Sequence, residues 1–285
     1  MLVKALYSVA VVAALVAFDT QLAWARAFFD SVETEKRGKA LFEKAWPLRE
    51  ALDRNENRSG QSAAPALENA DRLYADREDL PSAERAAMLW EERLVLDGLD
   101  FEAAWKLSRA RYWLGGHVAE DERREQYEQG IAVARRANAM EPDHPEGHFW
   151  MAANMGALAE SFGLRAGLRY RSPIREQLEI VLRLDPGFQQ GSADRALGRW
   201  FFKVPRLFGG NDDRAVEHLE RSLDYNPDST ASLFFLAEAL ADMGREDEAR
   251  ARLEEVRSAP LDPEWTPEDR EFKTKAQELL STLQR

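Results

Sequence analysis

The stretch PDSTASLFFLAEALADMGREDEARARLEEVRSAP, residues 227–260, carries the fold in its spacing. Leu233, Leu236, Ala237 and Leu240 recur at the three- and four-residue steps of one helix face. After Gly244, Ala249, Leu253 and Val256 do the same. Two amphipathic helices around a glycine turn follow, with large side chains on the first and the small Ala249 letting the second approach closely. Pro227 and Pro260 bound the unit, since proline lacks the N–H a helix needs and clashes with the preceding turn.

The same punctuation recurs toward the N-terminus. Asn226–Pro227, Asp185–Pro186 and Glu141–Pro142 each end a helical stretch, and Asp97–Gly98 stands where the next proline would be. Asp143, Asp228 and Ser229 are the expected caps of the helices that follow. The order large, large, small, large, glycine, alanine, large, proline matches the tetratricopeptide (TPR) unit of about 34 residues, here lengthened by an insertion of roughly seven to ten. GLRAG at 163–167 and KVPRLFGG at 203–210 are the visible insertions, expected to project as ordered loops between the two helices of a repeat.

Helices are predicted near 32–53, 63–76, 82–96, 100–114, 119–139, 145–161, 172–184, 190–202, 211–224, 229–242, 246–257 and 267–283. Asn55 to Ser62 reads as a polar loop, and Thr266–Pro267–Glu268 as a helix start. No window alternates, so no sheet is predicted. The fold class is all-α: a TPR-like array of helical hairpins (an α-solenoid) with a C-terminal capping helix. A single hairpin cannot bury its apolar face, and stacking does so. The expected divisions are a leader over 1–27, N-terminal helices over 28–98, repeats over 99–260 and the capping helix over 261–285.

HFWMAANMGALAE, RALGRWFFKVPRLFGGNDDRAVEHLERSLDYNPDST and LAEAL, between about 145 and 245, resemble the TatT family, the TPR-like periplasmic component associated with some TRAP transporters. Ala196–Trp200 and Gly209–Gly210 carry the resemblance most specifically. A similar layout occurs in the eukaryotic regulator of microtubule dynamics family. The resemblance covers about half the chain. It implies an all-helical repeat protein that docks the secreted substrate-binding protein of a TRAP-type transporter, which imports small carboxylates, and it carries no catalytic motif.

Composition narrows the classes. The 285 residues are 45% hydrophobic and 10% aromatic, enough for a real core and too rich for a disordered chain. Lys plus Arg is 39 against 51 acids, a net charge of −12, which disfavours a nucleic-acid partner. With no cysteine, disulfides, thiolate metal sites, cysteine catalysis and a lipid anchor on an N-terminal cysteine are excluded. Lys4, the uncharged run Ala5 to Phe18 and the small-residue sites at Ala23, Ala25 and Ala27 read as a secretory leader. Asp19 ends that run short of the roughly 20 apolar residues a membrane-spanning helix needs. The mature chain is therefore expected to be periplasmic, not membrane-spanning, and to begin near Arg26 or Ala27; N-terminal sequencing that returned Met1 would overturn this.

No Ser-His-Asp order, HExxH helix or phosphate-cradling glycine loop is present, so no enzyme, cofactor or metal is expected. His144 and His148 are four apart, but His144 precedes Pro145, and a capping and surface role is expected for them. His117 beside Gly115–Gly116 and His218 in a charged helix read as structural or exposed. The first helix of each repeat lines the concave face of a TPR array. Mapping the repeat places Trp105, Arg109 and Trp113 there, then Phe149, then Arg195, Arg199 and Phe202, then Phe234 and Glu238. An arginine on apolar walls can hold a carboxylate through two parallel bonds. Arg109 and Arg199 share the ninth repeat position and are the expected anion-binding pair, with a small carboxylate as a possible ligand. The alternatives are inter-repeat packing for the aromatics with the arginines bridging neighbouring acids, a ligand-free scaffold for an envelope complex, or an enzyme with an unrecognised site.

Overall fold

The computed structural model describes residues 64–283. The leader expected over 1–27, the helix expected over 32–53 and the polar loop at 55–62 lie outside them. Helices account for 83% of the described residues, with no strand among them. They are α1 (Ala64–Ala75), α2 (Leu80–Leu96), α3 (Phe101–His117), α4 (Glu120–Met140), α5 (Pro145–Ser161) and α6 (Gly163–Leu184). α7 (Phe188–Lys203), α8 (Asp212–Tyr225), α9 (Thr230–Asp242), α10 (Glu246–Ser258) and α11 (Thr266–Leu283) complete the array. A 3-10 turn at Arg206–Phe208 lies within the expected loop after α7.

The helix ends follow from local chemistry. α4, α6 and α8 each stop two residues before Pro142, Pro186 and Pro227. Asp100 caps α3 by accepting from the Ala103 N–H at 2.9 Å, Asn211 caps α8 and Ser229 caps α9. Asp143 and Asp228 are not caps: His144 takes the capping position of α5, without a side-chain bond to the helix, and Ser229 precedes α9.

The first insertion departs from expectation. Residues 163–167 are the first turn of α6, which starts nine residues ahead of the predicted 172. Only Gly163 breaks the chain, at φ 77°; Gly167 is helical. Ala166 and Tyr170 pack against the core beneath them, and that burial outweighs the helix penalty of about 1 kcal/mol at Gly167.

Hairpins α3/α4, α5/α6, α7/α8 and α9/α10 stack in series, and α3, α5, α7 and α9 touch one another along the inner side. Fully buried alanines, among them Ala103, Ala137, Ala215, Ala237 and Ala249, let neighbouring helices approach closely. Trp105 packs against the first two core clusters and Phe202 against the second and third, so each joins successive repeats.

α11 does what a capping helix should: Ala276 and Leu280 are buried against Leu233, Ala237, Leu253 and Val256. Its first half does something the repeat pattern does not announce. It reaches back to the beginning of the array, so that the two ends meet. Arg77, between α1 and α2 and only 4% exposed, donates to Glu268 and to the Glu264 carbonyl at 2.8 Å. Arg270 pairs with Glu78, and His117 at the end of α3 bonds Glu271 at 2.7 Å.

His117 lies on the face of Trp113, with ring centroids 3.8 Å apart, and its Nδ1 sits 2.7 Å from the Trp113 carbonyl. Nδ1 faces a carbonyl and Nε2 a carboxylate, so both nitrogens must carry protons for both bonds to form. Burial lowers the His117 pKa, but the bonds to Glu271 and the Trp113 carbonyl outweigh it and hold it above its ordinary value. Burial raises Glu271, and His117 with Lys275 outweighs that to hold it below its ordinary value. The signs set a window. His117 stabilises fully below the ordinary histidine value of about 6.5, and its contribution is lost as pH rises through its higher folded value. Glu271 stabilises above about 4.3 and loses this as pH falls through its lower folded value. Between pH 6 and 9 the closure should weaken by about 1 kcal/mol at most, since the pair is partly exposed, or roughly 2–4 °C. Thermal melts of the protein and of His117→Gln across that range check this; equal pH slopes would refute it.

Candidate functional site

The two ends meet beside a half-open cavity of about 1140 Å³. α5 supplies Phe149, Trp150, Ala153 and Gly156; α6 supplies Leu168 and Arg171; α7 supplies Arg195, Arg199 and Trp200. α9 adds Phe234 and Phe235, and the segment from Pro260 to Lys275 adds Trp265 and Phe272 opposite them. Phe272 lies 5.6 Å from Phe234 and 5.3 Å from Phe235, ring centre to ring centre. The roof is tied down from the side as well. Gln190 donates to Asp262 at 2.9 Å and accepts from Asn226, while Asp269 accepts from Thr230 and from the Asp262 N–H.

Arg195 and Arg199 share one face of α7, a turn apart. Their surroundings differ. Arg199 sits between two acids from neighbouring repeats: Nε and a terminal nitrogen donate to Glu160 at 2.7 Å each, and Nη1 to Glu238 at 2.9 Å. Lys203 completes the cluster on Glu238 at 2.6 Å. Burial alone would lower the Arg199 pKa, but these acids hold it above its ordinary value. Burial alone would raise Glu238, but Arg199 and Lys203 hold it below its ordinary value.

Arg195 has no such partner: among the described residues no carboxylate lies within 4.0 Å and no hydrogen bond forms. Burial drives its pKa down to about 10, with the negative charge of Asp269 only partly offsetting the loss of water. It remains protonated at neutral pH, a part-buried cation in the wall of a half-open cavity. Nearby Tyr112 also lines the cavity, and burial pushes its phenol above the ordinary value. An unsatisfied charged group costs about 1–3 kcal/mol. Arg195→Met should therefore raise the stability of the empty protein by about 1 kcal/mol, read as a higher melting temperature; a fall of that size would show that Arg195 is a packing residue.

The start of α7 is strained. Gln189, Gln190 and Gly191 all have left-handed backbone angles, with φ at 44°, 58° and 73°. Such angles cost a non-glycine residue about 1–2 kcal/mol each. The turn places both glutamines in the cavity wall, and the Gln189 Oε1 atom is buried there with no hydrogen-bond partner.

Of the residues expected on the inner face, Phe149, Arg195, Arg199, Phe234 and Glu238 line the cavity together. Trp105 and Phe202 lie in the joints between repeats. Trp113 is buried, with its indole N–H on the Arg77 carbonyl at 2.9 Å. Arg109 is outside the cavity wall, its guanidinium 4.2 Å from the Tyr74 ring centre and 5.1 Å from that of Trp105. The structure therefore does not bring Arg109 and Arg199 together: Arg199 lines the cavity paired with acids, and Arg195 lines it beside Arg199. Trp150, Trp200, Trp265, Gln189 and Gln190 had no sequence signal beyond helical periodicity or none at all.

The other histidines are accounted for by packing. His148, expected at the surface, is 7% exposed and bonds Gln177 at 2.6 Å and the Pro142 carbonyl at 2.9 Å. His144 faces Glu146 instead, so the two do not share a site. His218 is held by Asp194 at 2.7 Å and stacks on Phe201. Among the described residues no cluster of three metal-binding side chains occurs and no helix is long and apolar enough to cross a membrane.

The sequence profile of a family described as "Regulator of microtubule dynamics protein 1-3" matches residues 66–208, and a tetratricopeptide repeat profile matches residues 210–266. No curated protein matches in sequence. Among solved structures, a thermophilic TPR protein of Thermus thermophilus is similar at 21% identity and a TM-score of 0.59, covering 77% of this chain and 99% of that one. MamA of Desulfovibrio magneticus is more distant, at 15% identity and a TM-score of 0.43, over 75% of this chain and 96% of that one. These similarities concern the fold.

Proposed function

The chain belongs to the regulator of microtubule dynamics protein 1-3 family, and from that footing we propose that it is a periplasmic, non-enzymatic TPR interaction protein that docks the substrate-binding protein of a TRAP-type transporter and holds or passes a small organic acid. The single observation that supports the acid is Arg195, a guanidinium without a carboxylate partner among the described residues, in the wall of a half-open, aromatic-lined cavity. An unpaired charge in such a place is costly unless something occupies it. The resemblance of residues 145–245 to the TatT family and the secretory leader support the partner and the compartment.

The saturation of Arg199 by Glu160 and Glu238 favours a second reading, a ligand-free scaffold in which inner-face charges only join repeats. One experiment separates the two. The protein is mixed with the substrate-binding protein encoded beside a TRAP permease in the same genome, and the complex is followed by gel filtration and by transfer of a radiolabelled carboxylate. Co-elution with transfer supports the proposal. Co-elution with no carboxylate retained by this chain supports the scaffold, and no co-elution removes the TRAP partner.

A further inference from the structure

We infer that the cavity selects a singly charged carboxylic acid with a bulky apolar body, its carboxylate on Arg195, and rejects dicarboxylates. This rests on the reading that the cavity takes an organic acid and specifies which kind. Its walls hold six acidic side chains against five basic ones, with Glu268 paired to Arg77 behind the wall, so a ligand's second negative charge meets no excess of positive charge. The basic groups are mostly spoken for. Arg199 and Lys203 are bound by Glu160 and Glu238, and Lys275 stands 3.5 Å from Glu271. Arg171 has its guanidinium 5.2 Å from the ring centre of Phe208, on the α6 wall. Arg195 and Arg171 are the wall cations with no acid within bonding reach among the described residues, and Arg195 is the one whose charge burial disfavours.

The remainder of the space suits a hydrocarbon. Phe149, Trp150, Trp200, Phe234, Phe235 and Phe272 present ring faces and edges. A second carboxylate lodged among them would lose its water and find the nearest cations, Arg199 by Phe235 and Lys275 by Phe272, already engaged with acids. A phenyl or branched chain there gains from leaving water, at about 25 cal/mol per Å² of apolar surface. A volume of about 1140 Å³ admits a body considerably larger than a two- or three-carbon acid.

Calorimetric titration of the full chain with four probes tests this: 4-phenylbutyrate, its neutral counterpart 4-phenylbutanol, succinate and octanedioate. The expected order places 4-phenylbutyrate about tenfold or more ahead of the alcohol and of both diacids, as one charge-assisted bond commands. Arg195→Met should bring 4-phenylbutyrate down to the level of the alcohol while leaving alcohol binding unchanged. Arg195→Lys, which keeps the charge but loses the fork, should retain the preference for the acid in part. Equal binding of acid and alcohol by the unaltered protein would overturn the assignment of the carboxylate to Arg195. Either diacid binding as tightly as 4-phenylbutyrate would overturn the charge selectivity while leaving an acid-binding cavity. Heat from none of the acids would remove the acid-binding reading as well.

Discussion

Arg77→Ala should lower the unfolding free energy by about 3 kcal/mol, the low end for breaking a buried ion pair, because it strips the partner from a part-buried carboxylate. Arg77 is 4% exposed and bonded to Glu268 and to the Glu264 carbonyl, with Tyr74 and Trp113 rings 5.0 and 5.3 Å from its guanidinium carbon. Burial lowers the arginine's pKa, yet Glu268 holds it above the ordinary value. Burial pushes Glu268 up, and the bonds from Arg77 recover only part of that. The two directions are compatible: the pair favours the charged forms, while desolvation weighs more on the carboxylate. Removing the arginine leaves Glu268 part-buried and uncompensated and frees the start of α11 from the turn between α1 and α2. A fall in melting temperature of about 10 °C is expected for a domain of this size. Arg270→Ala provides the comparison, since its pair with Glu78 is more than half exposed on the arginine side and should matter by less than about 1 kcal/mol. Equal, small losses in the two variants would mean that the ends of the array are not locked together.

Gly210→Ala is the second large effect. A Cβ at this position would stand 1.6 Å from the Val204 carbonyl oxygen and 2.7 Å from its carbon. Both are backbone atoms, so no side chain can rotate aside to relieve the contact. The loop is also bonded at this point, with the Gly210 N–H on the Pro205 carbonyl and the Asn211 N–H on the Phe201 carbonyl at 2.9 Å. The loop must open, at a cost of about 3 kcal/mol, the upper part of the range for overpacking. Val204 and Pro205 line the cavity, so the variant should lose affinity for 4-phenylbutyrate along with stability. Gly116→Ala is the counterpart: its Cβ meets nothing within 4 Å inside α3, and a gain of about 0.5–1 kcal/mol is expected. Urea unfolding of the two variants should move in opposite directions; a Gly210→Ala midpoint equal to that of the parent would refute the close approach.

The hairpins were legible in the sequence because their signals are local. Apolar steps of three and four, prolines two residues past the helix end and Gly244 at the turn act over a few residues each. The inner face was legible in part, since Phe149, Arg195, Arg199, Phe234 and Glu238 occupy corresponding positions of successive first helices. Those same positions also serve repeat-to-repeat packing, so periodicity alone did not separate Trp105 and Phe202 from the cavity residues. Whether Arg195 or Arg199 stays free depends on acids 39 residues away on either side of Arg199, which no local pattern reports. The roof was not legible at all. Arg77 and Glu268 are 191 residues apart, and their pairing leaves no periodic trace. α6 was drawn too short because Gly163 and Gly167 look alike as turn residues, and only packing tells the break from the helical position.

A crystal structure of the protein grown with 4-phenylbutyrate is the most direct test of an acid-binding cavity. The carboxylate should lie at about 2.7–2.9 Å from the Arg195 guanidinium nitrogens, the distance of a charge-assisted bond, with the phenyl ring between α9 and the segment that roofs it. Arg199 should keep Glu160 and Glu238. Density for the acid on Arg199 or Arg109, or on the outer helices with the cavity unfilled, would contradict it.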